Sequence, residues 1–208
     1  MEMTLQQIAA SYHCSVRSVQ LAVADETLSV HRQVGRSLIV DDIAALAWSR
    51  ATSRGRRWST RMRDAALDLL SEGKTAAVQG PEKSRLKRRL AMMTARDVAY
   101  ASGGLGRWAR YREYRPIHVP GIGPSAIASE ELGIVSGAAP MRFGSAPDLT
   151  EFAVHPDLAL DADGQLGIVE RPERDDRIAR VLLDTYLLGD ARMSVAAAGL
   201  LEERVHGL

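Results

Sequence analysis

The sequence predicts an α+β protein: a small helical head carrying a β-hairpin, a basic helical connector, and a mixed α+β C-terminal domain. Three observations predict it. Helix-type and strand-type apolar periods follow one another within the first fifty residues, positive charge gathers in the middle, and short strands mix irregularly with helices after residue 106. The expected segments are 1–52, 53–106 and 107–208.

A chain of 208 residues with 46% hydrophobic and 25% charged residues can bury one large core or two small ones. Its start, MEMTLQQIAASYH, lacks the basic, apolar and small-residue order of a secretory signal. The apolar runs at 42–48 and 181–188 are too short to span a bilayer, so no membrane partner and a cytoplasmic location are expected. One cysteine, Cys14, excludes an internal disulfide and a Cys-based zinc cluster. The net charge of +1 hides a segregation: Met1–Arg115 carries 20 Lys and Arg against 11 Asp and Glu, and Pro116–Leu208 carries 7 against 15. Such asymmetry suggests a nucleic-acid-binding half joined to a half with another task.

Leu5, Ile8, Ala9 and Tyr12 recur at helical spacing behind Thr4, a suitable N-cap. His13-Cys14 interrupts, and Ser15 caps a second helix from Val16. Two helices crossing at a tight turn need a small residue at the contact, here Ala9, and apolar residues facing back, here Val19 and Ala22. They also need a turn residue that tolerates positive φ, where His13 stands in place of the usual Gly. Leu28–Val40 then alternates on both sides of a Gln33-Val34-Gly35 turn, which predicts a hairpin, and Asp41 or Asp42 opens a third helix through Ile43, Leu46 and Trp48.

This order is that of a winged helix-turn-helix. It resembles the MerR and excisionase group on Val34-Gly35-Arg36, Ser37-Leu38-Ile39-Val40 and Asp41-Asp42-Ile43, over about Thr4 to Ala51. The resemblance implies that the helix from Ser15 enters the major groove of double-stranded DNA. Ser15, Arg17, Ser18 and Gln20 then face DNA, with Arg17 suited to a guanine edge, Gln20 to an adenine edge, and Ser18 to a base or phosphate. Arg32 and Arg36 flank the hairpin turn and are expected to reach phosphates or the minor groove. For any one of these arginines the alternative is a solvated surface charge.

Six arginines lie between Arg50 and Arg63, around Trp58. Ser53-Arg54-Gly55-Arg56-Arg57 reads as a loop, and Ser59 or Thr60 as the cap of a helix closed by Gly73. Arg54, Arg56, Arg57 and Arg61 make a candidate backbone clamp, which neutralises phosphates without reading sequence. Trp58 reads as a core anchor for the next helix, with a base-stacking platform as the alternative. Glu82–Leu90 is a second basic helical stretch whose charges either extend the DNA track or solvate one helix face.

In the C-terminal half, strands are expected at 111–119, 134–135, 150–154, 158–160 and 166–169, the last two forming a hairpin around Asp161-Ala162-Asp163-Gly164. Helices are expected at 124–132, 173–188 and 194–205. The chain has no Gly-Lys-Ser/Thr loop, no Gly-x-Ser-x-Gly elbow and no His-Glu-x-x-His. His118 and His155 read as structural groups at strand ends, and Asp157, Asp161 and Asp163 as solvated turn residues that lack the distal Glu of a calcium loop. No catalytic residue, metal ligand or cofactor is assigned.

Further segments resemble the antitoxins of AbiE-type (abortive infection) toxin–antitoxin operons. They are Arg56-Arg57-Trp58-Ser59, Lys83-Ser84-Arg85-Leu86-Lys87-Arg88-Arg89-Leu90, Ile134-Val135-Ser136-Gly137-Ala138, and the Leu-rich helix from Leu183 ending in Gly189-Asp190-Ala191-Arg192. That resemblance implies a head that represses its own operon and a C-terminal domain that counters a nucleotidyltransferase-like toxin, with no toxin-contact residues to carry over. An architectural, excisionase-like DNA-bending protein and a ligand-responsive regulator with an acidic sensor half are the alternatives. An enzyme finds no nucleophile, base and orienter. A dimer on repeated half-sites and a monomer on tandem sites are both open.

Overall fold

The computed structural model describes residues 1–53, 55–119, 132–134, 141–171 and 177–208. Among these residues the protein is mixed α+β, with nine helices and two sheets. It divides into two compact units, each drawn from three stretches: Met1–Ser49, Leu105–Ile122 and Pro140–Arg174 in the first, and Arg50–Gly104, Gly123–Ala139 and Asp175–Leu208 in the second. The chain passes from one unit to the other after Ser49 and Gly104. The segment 107–208, expected to be one domain, is shared: its strands join the first unit and its closing helices the second.

The first unit begins with β1 (Glu2–Thr4), a strand too short to register as a pattern, and then α1 (Leu5–Ser11). Thr4 starts α1 through a reciprocal cap: its hydroxyl accepts from the Gln7 N–H, and the Gln7 side chain accepts from the Thr4 N–H. After Tyr12 the chain turns at His13, whose φ of +51° is the left-handed conformation expected there. Ser15 restarts it as α2 (Val16–Ala24), accepting from the Ser18 N–H at 3.1 Å. Ile8 and Ala9 of α1 and Val19 and Ala22 of α2 are buried, as their spacing predicts, and the two helices pack against each other.

Strands β2 (Arg32–Val34) and β3 (Ser37–Asp41) form the hairpin, and β3 also pairs with β1, giving the antiparallel order β1-β3-β2. Val34 pairs with Ser37, so the loop is Gly35-Arg36, one residue later than the expected Gln33-Val34-Gly35. A two-residue hairpin loop favours positive φ at its first position, and Gly35 supplies +59°. The buried Asp41 carboxylate accepts from the Ile43 and Ala44 N–H groups and so caps α3 (Asp42–Arg50).

The second sheet has β4 (Trp108–Glu113), β5 (Arg142–Ala146), β6 (Leu158–Leu160) and β7 (Leu166–Glu170) in the order β5-β7-β4-β6. Three features of this sheet differ from the expected elements. The strand expected at 111–119 begins at Trp108 and ends at Glu113. β6 and β7 do not pair as a hairpin, because β4 lies between them, antiparallel to both. The connection 161–165 crosses β4 closely enough that a Cβ on Gly164 would strike the Tyr111 carbonyl, and the Arg110 side chain donates to the Gly164 carbonyl. Finally, 150–154 is a helical turn, α7 (Thr150–Ala153), because the Asp148 carboxylate accepts from both the N–H and the hydroxyl of Thr150. Ile134 is buried without being a strand residue; Val135, and 124–131 of the expected helix, lie outside the described residues.

Tyr111, Leu149, Leu158, Leu166 and Ile168 lead the core of this sheet, with Phe152 tilted against Tyr111. Within the same unit, the Trp108 N–H donates to the Ser29 hydroxyl, and Arg110 lies 3.4 Å from carboxylate oxygens of Asp41 and Asp42. Burial pushes the Asp41 carboxyl above its ordinary value, against the opposing pull of Arg110 and the two capping N–H groups.

The second unit is helical among its described residues: α4 (Thr60–Glu72), α5 (Gly80–Leu90), α6 (Ala95–Ala101), α8 (Ile178–Leu188) and α9 (Ala191–His206). Ser59 caps α4, and Gly73 closes it at φ +71°. Of the expected closing helices, the described part of 173–188 is helical over Ile178–Leu188, with 173–176 outside the described residues, and the second runs over Ala191–His206 instead of 194–205. Gly189 between them leaves no room for a Cβ beside the Thr185 carbonyl and Met193, and the Asp190 side chain caps α9.

Candidate nucleic-acid interface

The sequence-selected residues fall into two sets, one in each unit. In the first unit, α2 turns Val19 and Ala22 inward and leaves Arg17, Ser18, Gln20, Leu21 and Ala24 exposed. The helical period produces this split, since 17, 20, 21 and 24 share one side. The hydroxyls of Ser15 and Ser18 lie 2.8 Å apart, so both are engaged in the cap at the helix start. Among the described residues Arg17 makes no hydrogen bond or ion pair, and neither does Arg36 at the hairpin tip.

Arg32 departs from its expected role. Its Nε and Nη2 each donate to Glu2 at 2.7 Å, a bidentate pair that holds the Glu2 carboxyl below its ordinary value. The backbone register puts β1 and β2 on opposite edges of β3, where the long side chain of Arg32 reaches across to Glu2. Spacing alone could not separate Arg32 from Arg36; the third strand does.

Within the basic half Met1–Arg115 the charge is uneven. Residues 1–49 carry three arginines against five Asp and Glu, whereas 50–104 carry thirteen Lys and Arg against five. The head's acids are largely engaged: Glu2 by Arg32, and Asp41 and Asp42 by Arg110. Asp25 and Glu26 come after the last turn of α2, so the outward face of that helix has no carboxylate along its length.

In the second unit the arginines divide again. Arg56 is exposed and makes no hydrogen bond or ion pair among the described residues. Arg57 stacks over Tyr100, 5.5 Å from the ring centre, while the Tyr100 hydroxyl donates to the Gly55 carbonyl. Arg61 is bound to Glu82 and to the Ala77 carbonyl, which ties α4 to the approach to α5. Arg50 donates to the carbonyls of Tyr186, Leu187 and Gly189, an internal cap on the end of α8. Arg54 lies outside the described residues. Trp58 is half-buried, donates its backbone N–H to Ala101, and has the Arg89 guanidinium over its ring. Of the basic side chains on α5, those of Lys83 and Arg88 make no hydrogen bond, ion pair or ring contact among the described residues.

Two features of the first unit escaped the sequence reading. Leu21 is 52% exposed on α2, between the polar residues already selected. Its outward position was readable from its four-residue spacing to Arg17. A cavity of about 310 Å³ also lies beyond the end of α2, lined by Val23, Leu28, Val30, Trp108, Tyr111 and Leu149 among others. It is built across the second sheet, so no local pattern announces it.

His118 is exposed, and His155 accepts from the Asp157 N–H in a turn. Among the described residues no three His, Cys, Asp or Glu side chains gather into a metal-holding group, and no helix is long and apolar enough to cross a membrane. Comparison with protein-family models, curated proteins and solved structures returns no match for this chain.

Proposed function

We propose that the chain is a sequence-specific DNA-binding regulator whose first fifty residues act as a winged helix-turn-helix. The observation that carries this reading is α2. It is capped by Ser15, packs against α1, buries Val19 and Ala22, and presents Arg17, Ser18 and Gln20 outward with no intervening carboxylate. An exposed helix of that composition suits the donor and acceptor pattern of the major groove. The hairpin with Arg36 at its tip has the place of a wing, and Arg56 with the basic residues of α5 supplies sequence-independent phosphate contacts. The resemblance to AbiE-type antitoxins extends the proposal to repression of the chain's own operon and relief of a nucleotidyltransferase-like toxin.

A mobility-shift titration tests the reading, using DNA from upstream of the gene beside a random fragment of equal length at two salt concentrations. Tight binding to the upstream DNA alone is the expected result, and co-expression with the neighbouring gene then tests the antitoxin activity. Equal, salt-sensitive binding to both fragments indicates an architectural protein, and no binding removes the proposal.

A ligand-responsive regulator is the second reading, favoured by the cavity at the end of α2. It predicts that small apolar molecules with one polar end raise the melting temperature and change DNA affinity. A broad set of such molecules with neither effect would remove it.

A further inference from the structure

Leu21 is half in water, although the inward side of α2 already has its apolar residues in Val19 and Ala22. It shares the exposed side with Arg17 one turn before, Gln20 beside it and Ala24 one turn after. This surface has at its start a cation with no ion-pair partner among the described residues and no carboxylate before Asp25, so it complements a polyanion. The edges of the major groove offer hydrogen-bonding groups at every base pair and one apolar group, the C5-methyl of thymine. Arg17 and Gln20 can use the former; a leucine can use only the latter.

We propose that Leu21 is a specificity residue that packs against a thymine methyl group in the bound site, with Ala24 extending the same contact. The inference rests on α2 being the helix that enters the major groove. It adds a base preference that Arg17, Ser18 and Gln20 do not provide, and it explains why an aliphatic side chain stands on a face otherwise built for polar contacts. Removing one methyl from such a contact costs about fourfold in affinity, from the free energy of burying one such group.

The test uses the full chain and duplexes selected by it from a random-sequence pool. Each thymine of a selected site is replaced in turn by deoxyuridine, which keeps every hydrogen-bonding group and removes only the methyl. The unmodified protein should lose about fourfold in affinity at one thymine or two adjacent ones. Leu21→Ala should lose clearly less than fourfold at those positions, keeping only the share that Ala24 contributes, while binding the deoxyuridine duplex about as well as the unmodified protein does. Alanine is at least as good a helix former as leucine, and the side chain removed is half-exposed, so the variant keeps its fold, with circular dichroism as the check. If no position responds to deoxyuridine, or if Leu21→Ala keeps the wild-type response, the inference is overturned and DNA binding stands. If the chain enriches no sequence and binds no duplex, this inference and the DNA-binding reading both fall.

Discussion

Replacing the two hairpin arginines one at a time separates residues that sequence spacing treats alike. Arg36 stands in the Gly35-Arg36 loop, exposed and without an ion-pair partner among the described residues, whereas Nε and Nη2 of Arg32 both donate to Glu2. Each phosphate neutralised by a protein cation contributes about 0.9 to the slope of log affinity against log salt. Between about 50 and 200 mM salt, one such contact accounts for roughly a threefold change in affinity. Arg36→Ala should therefore flatten the slope by about 0.9. Arg32→Ala should leave it nearly unchanged, because the charge it removes is already met by Glu2. Glu2→Gln should steepen it by a similar amount, since it frees Arg32 to meet a phosphate. Fluorescence anisotropy of a labelled random-sequence duplex, titrated at several salt concentrations, reads all three slopes. If Arg32→Ala flattens the slope as much as Arg36→Ala, or Glu2→Gln leaves it alone, the assignment of one free and one engaged arginine is wrong.

Three predictions concern the scaffold. Val19 is fully buried, so Val19→Ala should cost about 2 kcal/mol in urea unfolding and weaken DNA binding through α2; a cost near zero would mean that the two helices are not held together there. Gly164→Ala puts a Cβ into the backbone carbonyl of Tyr111 and should cost about 1–3 kcal/mol, while an unchanged melting curve would contradict the close crossing of β4. Asp97 accepts hydrogen bonds from the Ser53 hydroxyl and the Thr94 N–H, which hold its carboxyl below the ordinary value of 3.8. A depressed folded-state value gives stability that is fully present above pH 3.8 and lost as pH falls through the folded value. The stability gap between the protein and Asp97→Asn should therefore shrink under acid, and a gap constant down to about pH 3 would refute that origin.

What was legible in the sequence was local. Thr4, Ser15 and Ser59 are caps because each hydroxyl meets an N–H three residues on, a relation written within one turn of chain. His13 could be placed at positive φ for the same reason, since the helices on either side leave it little else. Pairing between distant strands has no such local signature. Nothing in Leu158–Leu160 or Leu166–Glu170 says that β4 will separate them, and the turn residues between them fit a hairpin equally well until Gly164 is seen against Tyr111. Thr150 and Phe152 look like strand residues, but the Asp148 side chain decides for a helical turn. The candidate interface follows the same rule. The outward face of α2 was readable from its period, and the loss of Arg32 to Glu2 was not, because it depends on β1 lying across β3.

The charge map gives the reader and clamp assignments a sharper test than net charge does. Residues 1–49 are not basic, so if α2 binds DNA it does so by the placement of a few free groups, Arg17 foremost. The excess of positive charge lies in 50–104, where Arg56 is exposed and without an ion-pair partner among the described residues. Arg17→Ala should therefore reduce preference for the selected site over random DNA by roughly 1–3 kcal/mol, at one base pair, because a bidentate base contact is lost. Arg56→Ala should weaken selected and random DNA by the same factor and flatten the salt slope by about one unit. Both variants lose one positive charge, so a purely electrostatic attachment would make them indistinguishable. Competition titrations of both variants against selected and random duplexes decide the matter, and identical behaviour would mean that α2 holds DNA without reading it.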